Sequence, residues 1–418
     1  MVAPVALWLL ATAPLGAQHA AHAAAADSAA DDHARSWQVG AQAIAMATRM
    51  APAYRGETYV EGYVTQPALM AHWNTLRGRL ALTGTLNLEA LTLRGGELNG
   101  GISGEGFVDR RHPHTFAHEL VASSTVSAGG WRASLTAGKG VVAFGTDDPM
   151  SRPFAKFPAN HHLAQILERW VAVGGVRHRW AVLEGTLFNG DEPTGPWSWP
   201  TAGNFGDSWA ARATLLPAPG VELSASTARV SSPEQPTGGG LDQRKQSVAA
   251  RVAPAGAGGL PVRYLLVEYA RTDDLADGRR VFRYESVLAE AMATVRRLEL
   301  AARWEQTSRP EEERLADPFR SPRPHSDLNV IGITRWQIAT VHASTSVALG
   351  RYARARPFVE AAWLHARPLV RAAVFVPATF YGDDRQWSLS LGVRLDAGAL
   401  HARMGRYGVA ADPAHAAP

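Results

Sequence analysis

Imidazole, guanidinium and carboxylate groups crowd into one short stretch, GEGFVDRRHPHTFAHE, residues 104–119. Neutral imidazoles with carboxylates are suitable ligands for zinc or copper. In an extended chain alternate side chains share a face, so His112, His114, Phe116 and His118 would align on one side. The spacing matches no standard metal site, and a ligand set needs supporting groups behind it. The plainer expectation is a polar junction between loop and strand, where Arg110, Arg111 and the histidines hydrogen-bond and stack. A divalent-metal site at His112, His114 and His118 is the sharper alternative.

A second dense stretch is GTDDPMSRPFAKFPANHH, residues 145–162. Three prolines and no alternation make it a loop. Folded into a barrel, it would place Asp147, Asp148, Arg152, Lys156, His161 and His162 at a constriction, with Arg110 and Arg111 nearby. Charged side chains at such a point set ion selectivity. A hydrolase is a further alternative, with Asp147 or Asp148 and His161 or His162 activating water. Nothing in the spacing fixes the hydrogen-bond geometry that catalysis needs. Residues 188–209 carry Asp191, Glu192 and the Trp197/Trp199 pair, aromatics that would pack the loop down or stack on a sugar. Residues 309–327, of mixed charge, suit a solvated or lipopolysaccharide-facing surface. The chain has no nucleophile elbow, P-loop, dinucleotide fingerprint or HExxH pair, so no cofactor and no enzyme activity are expected.

These loops need a frame, and the frame is signalled by period-2 alternation. In RLALTGTLNLEAL, residues 79–91, leucines point one way and Thr83, Thr85, Asn87 and Glu89 the other. The pattern recurs in residues 132–138, 180–188, 209–215, 221–229, 262–270, 281–291, 298–304, 330–336, 357–365, 387–395 and 400–404. Residues 37–49 read as the first strand, and 163–173 as the most ambiguous one.

A soluble sandwich also alternates, but three features favour a transmembrane antiparallel β-barrel. The segments reach the length of a tilted membrane strand. Their polar faces carry Glu89, Arg263, Arg283, Glu285, Glu299, Arg303 and Glu305, which suit a watery lumen better than a packed core. Trp131, Trp180, Trp209, Trp304, Trp336, Trp387 and Tyr407 stand near segment ends, as in an interfacial girdle. Short turns alternate with long Gly/Pro-rich loops near 94–114, 145–166, 190–204, 232–243, 308–326 and 368–383. This predicts short periplasmic turns, long outer loops and an even count of about 16 strands, with 14 and 18 as neighbouring counts.

Bulk properties agree. The 418 residues are 46% hydrophobic and 19% charged, with no cysteine, which excludes disulfides and thiolate chemistry. Of 42 basic residues only Lys139, Lys156 and Lys245 are lysine, so 42 − 3 = 39 are arginine. The excess gives a net charge of +4, without the interleaved basic and aromatic block of a nucleic-acid binder. Residues 1–24 read as a secretory signal peptide with an apolar run at 6–16 but no basic residue before it. Residues 25–36 read as a flexible spacer, 37–409 as the barrel and 410–418 as a disordered tail.

The runs YVEGYVTQPALMAH, VDRRHPHTFAHEL, FGTDDPMSRPFAKFPANHHLAQILER, FNGDEP and RMGRYGV resemble a broad family of bacterial outer-membrane β-barrel proteins of porin-like character. The DRRHPH and NHH runs are the most specific marks. The resemblance implies a barrel in the outer membrane and assigns no substrate. The expected function is a porin-like channel for passive diffusion of small hydrophilic solutes, with a mild anion preference from the arginine excess. Its expected partners are outer-membrane lipid, lipopolysaccharide and those solutes. The sequence carries no signal of oligomeric state.

Overall fold

The computed structural model describes residues 37–76, 79–101, 110–111, 113–253, 262–312, 330–370, 374–401 and 403–411. Sixteen long strands form its wall: β1 Trp37–Ala51, β2 Tyr59–Thr75, β3 Leu80–Asn87, β4 Ala117–Ala128, β5 Trp131–Gly140, β6 Arg169–His178, β7 Ala181–Phe188 and β8 Ser208–Ala218. The wall continues with β9 Val221–Val230, β10 Asp242–Val252, β11 Val262–Ala276, β12 Arg279–Val295, β13 Leu298–Glu312, β14 Val330–Thr345, β15 Ala353–Pro368 and β16 Arg385–Gly398. Each strand pairs antiparallel with its chain neighbour, and β1 pairs with β16 from Gly40↔Gly398 to Ala51↔Trp387, closing the barrel. A two-residue strand, Val347–Ala348, only extends the turn before β15.

The side-chain alternation that builds this wall is inside-out relative to a soluble sandwich. In β7, Leu183 and Leu187 face outwards while Glu184 and Thr186 are buried inside. In β8, Trp209 and Leu215 face outwards while Arg212 and Thr214 are buried. Arg212 lies directly opposite Glu184 and grips it with two hydrogen bonds of 2.7 Å. Such a fork satisfies two lumen charges at once.

Short turns sit at one end of the barrel. Most connections at the other end are long, although residues 277–278 make a two-residue turn there. The β11–β12 hairpin therefore runs further than 262–270 and 281–291 suggest. Near its tip Arg271 and Arg283 pair with Asp273, and Glu285 accepts from Tyr269. Arg283 and Glu285 thus lie on the outer side, where the alternation expected lumen charges. The strand keeps its phase, so Tyr284, Ser286 and Leu288 face in and the outer face turns from apolar to charged near the tip.

Four further expectations need correction. Glu89 is not on a strand, because β3 ends at Asn87 and Glu89 opens the helical turn Glu89–Thr92. Residues 161–164 form a helical turn and β6 begins only at Arg169. Trp336 is completely buried and Tyr407 nearly so, whereas Trp131, Trp180, Trp209, Trp304 and Trp387 are exposed on the outside. The described residues of 400–404 form no strand. At Gly398 (φ +67°) the chain leaves the wall and turns into the lumen, and a Cβ there would stand 2.2 Å from the Val39 carbonyl oxygen.

Candidate functional site in the barrel lumen

Two segments fill the lumen from opposite ends. Residues 141–168, between β5 and β6, enter from the long-loop end and are buried almost throughout. Their neck is tight: a Cβ on Gly145 (φ +65°) would lie 1.6 Å from the carbonyl oxygen of Ala164. The loop then spans the lumen, held by wall side chains around the circumference. Glu268 accepts from Thr146 at 2.5 Å and from Asn160 at 2.8 Å. Glu360 accepts the Ala155 N–H at 2.8 Å, and Glu305 the Ala159 N–H at 2.7 Å. Arg303 donates to the Lys156 carbonyl at 3.1 Å, and Lys245 to that of His162 at 2.7 Å. Buried carboxylates on strands thus accept the Ala155 and Ala159 N–H groups, which the segment's own turns leave free.

Residues 399–411 enter from the short-turn end. Ala399 N–H donates to Val39 O at 2.9 Å. Met404 packs with Met70, Met150 and Phe157, and Val409 with Val182 and Leu216. The Tyr407 hydroxyl donates to Glu119 at 2.7 Å and accepts the Val141 N–H at 2.8 Å. The two segments join at Asp147, which receives Arg403 Nε at 2.5 Å and Arg406 Nε at 2.9 Å. Arg403 also donates to Glu222 at 2.6 and 2.9 Å.

The charged groups of the loop are tuned by this packing. Burial alone would raise the Asp147 carboxyl, but Arg403, Arg406 and Arg251 hold it well below its ordinary range. Burial likewise opposes ionisation of Asp148, yet the His118 hydrogen bond keeps its carboxyl lowered. Lys156 is pushed down by burial, against the pull of Glu97 and Glu360, and its ammonium has no hydrogen-bond partner among the described residues.

The expected site residues separate into three places. Asp147 and Arg152 line a cavity of about 350 Å³ under the loop. His161 and His162, with ring centroids 4.0 Å apart, line a cleft of about 40 Å³ with His114 and Glu168. Asp148 and Arg111 are fully buried, and Lys156 nearly so. Arg111 reaches Glu97 at 2.7 Å, binds Glu89 and lies over the Phe157 ring, so it clamps the loop after β3 against the lumen filling. His112 and the side chain of Arg110 lie outside the described residues.

The metal and hydrolase alternatives find no support in these contacts. His118 lies in a bulge of β4, between the pairs Thr85↔Glu119 and Leu86↔Ala117. The extra residue lets both His118 and Glu119 reach the interior. His118 sits between Asp148 and Glu168, each 3.0 Å from one ring nitrogen. A ring engaged on both nitrogens by carboxylate oxygens offers no lone pair to a cation. His114, 5.1 Å from the His118 ring, lies 3.3 Å from the Arg111 guanidinium. Phe116 leaves their face and stacks on Trp197 at 5.4 Å. Asp147 and Asp148 turn to Arg403, Arg406 and His118 instead of forming a pair with His161 or His162.

Arg263, expected among the lumen charges, lines the larger cavity with Arg152, and sequence reasoning missed Arg251, Arg354, Arg356 and Arg394 beside them. The alternating run RYARAR, residues 351–356, carried the signal for two of them.

No protein-family model matches the chain, and no curated protein matches it. Among solved structures it is similar to the anion-selective porin from Comamonas acidovorans, at 9% identity and TM-score 0.49, over 87% of this chain and 99% of that one. It is also similar to OprB from Pseudomonas putida, at 11% identity and TM-score 0.48, over 90% of this chain and 97% of that one. A loop-deleted OmpT, an outer membrane protein of Vibrio cholerae, gives 9% identity and TM-score 0.47, over 87% and 100% of the respective chains. The closed antiparallel barrel is established by its own strand pairings.

Proposed function

We propose that the chain is a bacterial outer-membrane channel of the porin type, passing small hydrophilic solutes with a preference for anions. Its wall would cross the membrane with the short turns in the periplasm, after export by the leader at residues 1–24. Lipid and lipopolysaccharide would meet its apolar outer face. That face supports the placement, because leucine, valine and tryptophan side chains occupy it from strand to strand. A closed barrel satisfies every wall backbone group without water, as a membrane demands.

One observation carries the anion preference. The cavity beside the constricting loop is lined by six arginines against two carboxylates, Asp147 and Glu299. Guanidinium groups attract and fork oxyanions, and a charged lining at a narrow point selects by sign. Purified protein in planar bilayers under a salt gradient should give a reversal potential of anion-selective sign. A cation-selective sign would overturn the preference, and the absence of any conductance would overturn the channel.

A further inference from the structure

We propose that the cavity beneath the loop is a retention site for a small oxyanion carrying two or more negative charges, of the carboxylate or phosphate class. The inference deepens the channel reading and takes from it only the route by which the anion arrives.

The geometry begins in strand register. Arg356 on β15 lies directly opposite Arg394 on β16, and Arg354 opposite Asp396. Like charges facing each other across a ladder repel, so the position needs negative charge. The wall supplies one carboxylate for both: Asp396 accepts from Arg356 and, at 3.1 Å, from Arg394 Nε. That leaves donors unused. Arg356 Nε and Arg251 Nη1 are buried with no hydrogen-bond partner among the described residues. Arg251 stands 3.6 Å from Glu222 and 4.0 Å from Asp147, beyond hydrogen-bond reach of either. Buried donors of this kind are costly unless something accepts from them.

Charge and size narrow the ligand. The lining alone counts 6 − 2 = +4, from Arg152, Arg251, Arg263, Arg354, Arg356 and Arg394 against Asp147 and Glu299. Among the described residues, ion pairs bring Glu222, Glu268, Glu290 and Asp396 to four of these arginines, and Arg403 and Arg406 to Asp147. An arginine excess on one lining favours a ligand of more than one negative charge over a monovalent ion. A volume of about 350 Å³ is at the lower end of small-molecule sites. Phe154 and Phe358 close part of the lining. An apolar wall beside forked donors excludes water and strengthens the attraction.

The test uses the full chain refolded in a neutral detergent, titrated calorimetrically with phosphate, succinate and chloride at constant ionic strength. Saturable binding of phosphate or succinate is expected, at least tenfold tighter than chloride. Equal affinity for both dianions assigns the shared oxyanion chemistry, and a difference identifies which class the site serves. The double substitution Arg251→Gln, Arg356→Gln should weaken binding tenfold or more, and Arg356→Lys by less, while Arg283→Gln on the outer side leaves it unchanged. No saturable binding by the wild type, or no preference over chloride, overturns the proposal even if the double variant fails to fold. Affinity indifferent to the double substitution does the same. Intact binding without bilayer conductance would instead remove the channel and leave the site.

Discussion

Arg403 and Asp147 meet as a fork, Nε to Oδ2 at 2.5 Å and Nη2 to Oδ1 at 3.0 Å, although 256 residues separate them in sequence. One partner belongs to the loop between β5 and β6, the other to the segment that follows β16. The same guanidinium also holds Glu222 on the wall. This junction ties the two lumen fillings to each other and to β9.

Breaking one side of that junction leaves a buried charge uncompensated, which costs more than losing the pair. Asp147→Asn and Arg403→Gln should therefore each destabilise the protein, and the double variant by less than their sum. A coupling of about 1–3 kcal/mol is expected for groups in direct contact. Urea unfolding in detergent micelles measures it, and strict additivity would show that the fork does not join the segments.

The segment after β16 should restrict the lumen. A chain ended at Gly398 retains all sixteen wall strands and loses the contacts of Met404, Tyr407 and Val409. Its single-channel conductance should exceed that of the full chain several-fold. Equal conductance would mean that these residues do not lie in the ion path.

Acid should release the loop only late. Asp147 has a folded-state pKa lowered below its ordinary value of about 3.9. A lowered carboxyl contributes stability that is fully present above the unfolded pKa and is lost as pH falls through the folded one. The stability difference between wild type and Asp147→Asn should thus be constant from pH 7 down to about 5, then shrink below about 4. A difference that vanished near pH 6 would contradict the ion pairs around this carboxylate.

Lys156 gives a slope of the same sign in an alkaline window. Its ammonium is lowered by burial, so the unfolded chain binds the extra proton in the window beneath the ordinary lysine value of about 10.4. Stability rises with pH wherever the unfolded state holds more protons. The wild type should gain stability relative to Lys156→Met as pH climbs towards 10, read from heat-modifiable migration on gels. A flat difference would place the ammonium in water.

The exposed tryptophans test the membrane. Trp131, Trp180 and Trp209 each expose about half their surface on the outer face. In vesicles of brominated lipid their emission should be quenched, and Trp→Phe at all three should measurably reduce the quenching. Unquenched emission would argue against a lipid-facing wall.

The wall was legible because a strand with an apolar outer face and a polar inner face alternates residue by residue, as Leu183, Glu184, Thr186 and Leu187 do. The strand count of about sixteen and the position of most long connections followed from that alternation. The inward course of residues 145–162 was legible as a capacity of a long Pro-rich loop, but its partners were not. Glu305 read only as a charge on a polar face, and Glu268 and Glu360 did not stand out at all, since no local pattern says which donor a carboxylate will accept. Residues 400–404 misled because five alternating residues look alike in a wall strand and in an extended filling. Arg403 and Arg406 were invisible as a junction for the same reason that Arg356 and Arg394 were: pairing across the barrel depends on register, and register is not written in either strand alone.

The position of Gly398 has a consequence for assembly. The strand that completes the ring by pairing with β1 is also the strand whose continuation occupies the interior, and Ala399 bonds to Val39 within a residue of that seam. A ring zipped shut beforehand would oblige thirteen residues, 399–411, to thread through the short-turn opening past the side chains already there. Wrapping the last strand around a tail already lodged against the loop avoids that passage. The barrel is therefore best understood as a sleeve formed on its own mandrel, in which the final strand carries both the closing edge and the object enclosed.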